Sequence, residues 1–181
     1  ELAKNADIIL QIKNTYNPTF EGTKIGPASM LKDAYEDSSK TKFMSAVAHR
    51  DKIAQVKVIG SEEDFSVILN EMEDRHINMD MINFLTEKKA FALDVSNLDE
   101  VENILKQHDV EYEIKPDCAK VTLIGNKVTE TPGVIAKIMR ALNAENITLL
   151  QSSDSYNSLS CLVDEKDMVT TVHVIHNAFS A

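Results

Sequence analysis

The sequence has no tryptophan, only five glycines and only four prolines among 181 residues. So little glycine argues against a glycine-rich nucleotide-binding domain, which needs bare backbone against phosphate. The only cysteines, Cys118 and Cys161, have no metal-ligand spacing, and a reduced, cytoplasmic chain is the expectation. His173 and His176 stand at i, i+3 without a third ligand, so no metal site is expected. Aromatics make up 6% of the chain, and Phe84 and Phe91 are the main ones on predicted strands, too few for an RNA-stacking sheet. Positive charge is also short: 19 Lys and Arg against 29 Asp and Glu leave a formal net charge of -10, which excludes a sequence-independent grip on nucleic acid. No apolar run is long enough to span a bilayer, and the first residues do not read as a signal peptide, so no membrane partner is expected.

What the chain does have is 43% hydrophobic residues, enough for real cores, arranged in an internal repeat. The first unit reads as strand 53–59, helix 61–75, strand 79–85, strand 90–95, helix 98–107 and strand 110–114. The second reads as strand 119–124, helix 132–144, strand 147–151, strand 158–163 and helix 166–179. Gly60 aligns with Gly125 at an offset of 65, whereas Ile77-Asn78 aligns with Ile147-Thr148 at 70. The second unit thus carries about five extra residues before its first helix. Phe65, Ile68, Leu69 and Met72, and Val134, Ile135, Ile138, Met139 and Leu142, recur at helical spacing as core stripes.

The order of elements gives an α+β fold of two ferredoxin-like βαββαβ units, with antiparallel sheets and helices on one face. The second unit lacks its last strand. Residues 42–49 (Lys42-Phe43-Met44-Ser45-Ala46-Val47-Ala48-His49) alternate as a strand should and would supply it, since a sheet missing a strand exposes unpaired backbone. The first unit (52–114) is then inserted into the second (41–51 and 115–181). Upstream, residues 1–25 read as the end of another domain: a helix turn at Leu2-Ala3-Lys4, a strand Asp7–Lys13, a turn at Asn14–Pro18 and an extended piece Gly22–Ile25. Residues 26–40 read as a polar linker.

The extra residues form a loop, Asn126-Lys127-Val128-Thr129-Glu130-Thr131, followed by Pro132-Gly133-Val134-Ile135. Thr131 is a suitable N-cap and Pro132 a suitable first helical residue. The N–H groups of Gly133, Val134 and Ile135 would then face the loop at the positive end of the helix and could hold a carboxylate. The bland alternative is a capped structural helix with nothing bound. In the first unit Ser61-Glu62-Glu63-Asp64 is a near capping box that crowds the helix start with its own acids.

Asn14-Thr15-Tyr16-Asn17-Pro18 with Gly22-Thr23-Lys24-Ile25 resembles the end of the catalytic domain of aspartate kinases. Lys120–Gly125, Thr131-Pro132-Gly133-Val134 and Ile147–Ser155 resemble their second regulatory ACT domain. Ile77-Asn78-Met79-Asp80-Met81-Ile82 resembles the second strand of their first ACT domain. The Gln-Ser-x-Asp-Ser pattern at 151–155 is most similar to monofunctional, diaminopimelate-responsive enzymes. The resemblance covers nearly the whole chain apart from the linker.

The resemblance implies a regulatory region without catalytic residues or a cofactor of its own. It would be joined to an aspartokinase catalytic domain that uses ATP and Mg. It also implies a homodimer paired through ACT domains, and feedback inhibition by an end-product amino acid such as lysine, threonine or diaminopimelate. An effector's carboxylate would meet the amides of Gly133, Val134 and Ile135, within the segment Asn126, Lys127, Val128, Thr131 and Pro132. Each such contact is worth about 0.3–1 kcal/mol when exposed. Its ammonium would meet Asn126, the carbonyls flanking Val128, or Gln151, Ser152, Ser153 and Asp154. Asp80 on a partner unit could read a second amino group. Many relatives carry an Asp-x-Pro-Gly loop in the first unit, where Ser61–Asp64 stands here. A dimerisation scaffold that binds no effector is the alternative.

Overall fold

The computed structural model describes residues 8–17, 19–26, 43–85 and 88–180. The chain divides at residue 41 into two parts. In the first, β1 (Leu10–Ile12) and β2 (Thr23–Ile25) pair antiparallel, with Leu10 opposite Ile25. The Asn14 side chain accepts the Tyr16 N–H at 2.9 Å, which starts the turn out of β1. Of the predicted strand Asp7–Lys13, the described residues form strand at Leu10–Ile12, while Leu2–Lys4, Asp7, Pro18 and residues 27–40 of the predicted linker lie outside the described residues.

The larger part is built on β3 (Met44–Ile59), β4 (Asp80–Phe84), β5 (Lys88–Asp94), β6 (Glu111–Gly125), β7 (Gln151–Ser155) and β8 (Ser158–Asp164). They form one antiparallel sheet in the order β4-β5-β3-β6-β8-β7. Four helices accompany it: α1 (Glu62–Asp74), α2 (Leu98–Gln107), α3 (Val134–Ala144) and α4 (Met168–Phe179). The fold is α+β, with two ferredoxin-like halves, the first inserted in the second. Residues 44–50 of β3 pair with 120–125 of β6, which completes the sheet of the second half.

Sequence periodicity separated residues 42–49 from 53–59 and 110–114 from 119–124. The structure joins each pair into one long strand. Polar residues fall at each junction because the break there is a bulge rather than a turn. Lys52 (φ 55°) and Asp117 (φ 58°) are left-handed, and the register skips beside Ile53, which pairs with Cys118. Pro116 sits in the unpaired stretch, where its missing N–H costs nothing.

Bulges bend strands and raise their twist. Here the bend is large enough that β4 and β7, at opposite ends of the strand order, touch. Ile53, Met81, Ala92, Cys118 and Leu162 fill the angle between the two halves. Each half keeps its own core beneath its helices. Val56, Val58, Phe91 and Leu93 meet Phe65, Ile68, Val101 and Ile104 in one. Val121, Leu123, Cys161 and Val163 meet Val134, Ile138, Leu142 and Ile175 in the other.

A polar tie crosses the angle. Gln151 is buried, accepts from Gln55 Nε2 at 2.8 Å, and donates its own amide to the carbonyl of Met81. Met81 is itself left-handed (φ 50°), inside a register shift of β4. Lys120 pairs with Asp80 beside it. The strand predicted at 147–151 begins instead at Gln151, where the ladder to β8 starts opposite Leu162; before it Ile147 is buried, and the Leu150 N–H bonds the Leu162 carbonyl at 2.8 Å.

Gln151→Ala should lower unfolding free energy by about 2 kcal/mol or more in urea titration, since it strands the buried Gln55 amide and the Met81 carbonyl. Cys161 is buried and its thiol is pushed up to about 12 by desolvation, and burial also raises that of Cys118. Neither should react with a thiol reagent at pH 8 until the chain unfolds, because the thiolate is the nucleophile. Ellman titration with and without denaturant checks this.

Candidate functional site

The inserted loop is fastened at both ends. Gly125 closes β6 where a Cβ would lie 2.5 Å from the Phe43 carbonyl oxygen, so only glycine fits. The Asn126 N–H donates to that carbonyl at 2.8 Å, and the Val128 N–H donates to the Tyr156 carbonyl at 2.8 Å. The Val128 side chain is buried in the second core. Lys127 is left-handed (φ 53°) and its carbonyl accepts both the Glu130 N–H at 3.1 Å and the Thr131 hydroxyl at 2.9 Å.

That hydrogen bond corrects the expected cap. Thr131 uses its hydroxyl to close the loop, so it does not cap the helix. Pro132 lies before the helix, and Gly133 (φ 86°) is the N-cap, with no side-chain cap hydrogen bond. The first helical bond runs from Lys137 N–H to the Gly133 carbonyl at 2.9 Å. The amides without a helical acceptor therefore run from Gly133 to Ala136. An added Cβ on Gly133 would meet nothing within 4 Å, so the space beside its Cα is open.

A cavity of about 370 Å³ lies against this helix start, lined by Val128, Thr129, Thr131, Pro132, Gly133, Val134, Ile135, Asp154 and Leu159. Asp154 is its only ionisable side chain and projects from the edge strand β7. The residues at the uncapped helix start and one carboxylate thus line a single space, a polarity that suits a zwitterion. Thr129 and Leu159 were not among the residues picked out from sequence. The alternation of β8 could have placed Leu159 on this face.

Other predicted residues stand elsewhere. Asn126 and Lys127 do not line the cavity, and the Lys127 ammonium pairs with Glu130 at 3.4 Å. Ser152 and Ser153 pair with Cys161 and Ser160 along the sheet. Gln151 is spent on the tie between the halves, and Asp80 is paired with Lys120. Within this chain these two serve the contact between the halves, a role that only the tertiary bend creates.

The first half differs at the matching place. Ser61 Oγ accepts the Asp64 N–H at 3.1 Å, and the Asp64 carboxylate accepts the Ser61 N–H at 3.1 Å. The Ser61 hydroxyl and then its backbone N–H hold the Asp64 carboxyl below the usual carboxylate range. A space of about 320 Å³ nearby is lined by Glu62, Phe65, Ser66, Leu69, Phe84, Leu85 and Lys89, but the helix start is plugged.

Comparison with known proteins agrees with this architecture. Residues 113–177 match the ACT domain family. The chain is 27% identical over 185 residues to aspartokinase 1 of Bacillus subtilis, across 99% of this chain and 44% of that protein. A solved structure of aspartokinase alpha and beta subunits superposes with a TM-score of 0.70 at 26% identity, over 76% of this chain and 99% of that one. The ligand-free regulatory subunit of aspartate kinase from Thermus thermophilus superposes at 0.69 with 23% identity, again over 76% and 99%. The chain spans less than half the length of the curated relatives it matches.

Asp64→Asn should destabilise the chain near neutral pH. The folded carboxyl titrates below its unfolded value, so its contribution is present above the ordinary aspartate range and is lost as pH falls through the lowered value. Melting temperatures of parent and variant should therefore converge in acid.

Proposed function

We propose that this chain, a relative of the aspartokinases with an ACT domain at residues 113–177, is the regulatory region of an aspartate kinase and binds an end-product amino acid. The observation that carries this reading is the uncapped start of α3 facing Asp154 across one cavity. The effector's carboxylate lies on the amides of Gly133, Val134, Ile135 and Ala136, where the helix dipole favours an anion. Its ammonium lies toward Asp154. Val128, Pro132 and Leu159 give the apolar wall for the side chain. The cavity volume falls within the range usual for small-molecule pockets.

The parent enzyme then transfers the γ-phosphate of ATP, with Mg, to the β-carboxylate of aspartate in the cytoplasm. The catalytic residues belong to a domain joined through the N-terminal part of this chain. Lysine, threonine or diaminopimelate is the effector, and two copies pair through their ACT units. The ligand controls the kinase only through its differential affinity for two arrangements of that pair, with a coupling of about 1–3 kcal/mol. The plugged helix start at Ser61 favours one effector site per chain, in the second half.

The second reading is a dimerisation scaffold without a ligand, supported by the same plugged cap. Thermal shift with lysine, threonine and diaminopimelate separates the two. A ligand at a hundredfold excess over its Kd stabilises the folded chain by about 2.7 kcal/mol. No shift with any of the three leaves the scaffold. Asp154→Asn removes the negative charge from an exposed edge position and should weaken the effector at least about tenfold, as losing a charged partner does. Its melting temperature without ligand should stay unchanged.

A further inference from the structure

Thr131, Pro132, Gly133 and Val134 also border a second cavity, of about 360 Å³, completed by Phe43, Lys137, Arg140 and Phe179. We propose that this cavity is a binding site for a nucleoside phosphate. It shares Thr131, Pro132, Gly133 and Val134 with the amino-acid site, and it stands on two further features and on a match of charge and size.

The first is positive charge that no carboxylate among the described residues meets. Lys137 and Arg140 are exposed side chains three residues apart on α3, close enough to repel each other. No carboxylate among the described residues pairs with either, in a chain whose formal net charge is -10. Helix α3 has no acid in its first turn, where α1 has three. A local arrangement at odds with its own electrostatics marks a place where a ligand restores the balance.

The second is the aromatic wall. The rings of Phe43 and Phe179 lie 5.4 Å apart with an interplanar angle of 31°, and both border the cavity. The Lys137 ammonium rests 4.8 Å from the centre of the Phe179 ring. A phosphate would draw that ammonium away and bare the ring face for a planar base, since a full anion outcompetes a ring quadrupole for an exposed cation.

The third is the match of charge and size. A phosphate with about two negative charges neutralises both cations, whereas a monocarboxylate carries charge enough for one. The volume lies within the usual range for small-molecule pockets.

The test is calorimetric and NMR titration of this 181-residue chain with ADP, pyrophosphate and benzoate, free of magnesium and at constant ionic strength. Saturable ADP binding is expected, with shifts at the Phe43 and Phe179 rings and the Arg140 guanidinium. Lys137→Gln and Arg140→Gln should each weaken ADP about tenfold or more, since each removes a charge-assisted hydrogen bond. Phe179→Leu should weaken ADP and leave pyrophosphate unchanged, with melting curves confirming that each variant is folded. Absence of saturable ADP binding overturns the proposal, as does ADP affinity unchanged in both charge variants. Pyrophosphate binding as tightly as ADP removes the role of the rings and overturns the nucleoside assignment. Benzoate binding more tightly than ADP overturns the phosphate.

Discussion

The structure depends on a sheet folded back on itself at two bulges. Two long strands, β3 and β6, run through both halves, and a left-handed residue in each, Lys52 and Asp117, lets the pair bend at one level. Without that bend the sheet would be an extended six-stranded ribbon with β4 and β7 far apart at its edges. With it, Ile53, Met81, Ala92, Cys118 and Leu162 leave water, and each edge strand gains a neighbour. The buried hydrogen bond from the Gln55 amide to Gln151 then ties the two halves at that angle, although the Gln55 side-chain oxygen is itself buried without a partner.

The same repeat, used twice, ends in two different helix starts. In the first half, Ser61 and Asp64 satisfy the amides from within the chain. In the second, five more residues lift the chain away, Thr131 turns inward to Lys127, and a left-handed glycine opens α3 without a cap. The difference is chemical as well as geometric. One helix carries its counter-charge, and the other leaves it to be supplied. In a strongly acidic chain, the start of α3 thus borders two cavities, one with the Asp154 carboxylate and the other with Lys137 and Arg140.

Legibility followed the range of the forces involved. The core stripes of α1 and α3, the capping box at Ser61, the inserted loop and the return of residues 44–49 to the second sheet were written in local pattern and in the accounting of unpaired backbone. The start of α3 was misplaced because Thr-Pro-Gly satisfies the preferences of an N-cap. Only the hydrogen bond from Thr131 to the Lys127 carbonyl removes Thr131 from that role. Gln151 and Asp80 carry polar groups suited to a ligand, yet each is taken by a residue 40 or more positions away: Met81 for Gln151 at 70, and Lys120 for Asp80 at 40.

Residue order alone determined the two ferredoxin-like units, their nesting, the acidic balance and which helix start is crowded by its own acids. These follow from periodicity of 2 and 3.6 and from short-range hydrogen bonding, which neighbouring residues settle between themselves. Tertiary structure decided that the two sheets are one, that β7 begins at Gln151, and which polar side chains face a cavity. Those outcomes rest on two single-residue bulges and on contacts across the bend. Their energies are set by what arrives from elsewhere in the chain, and no local pattern encodes that.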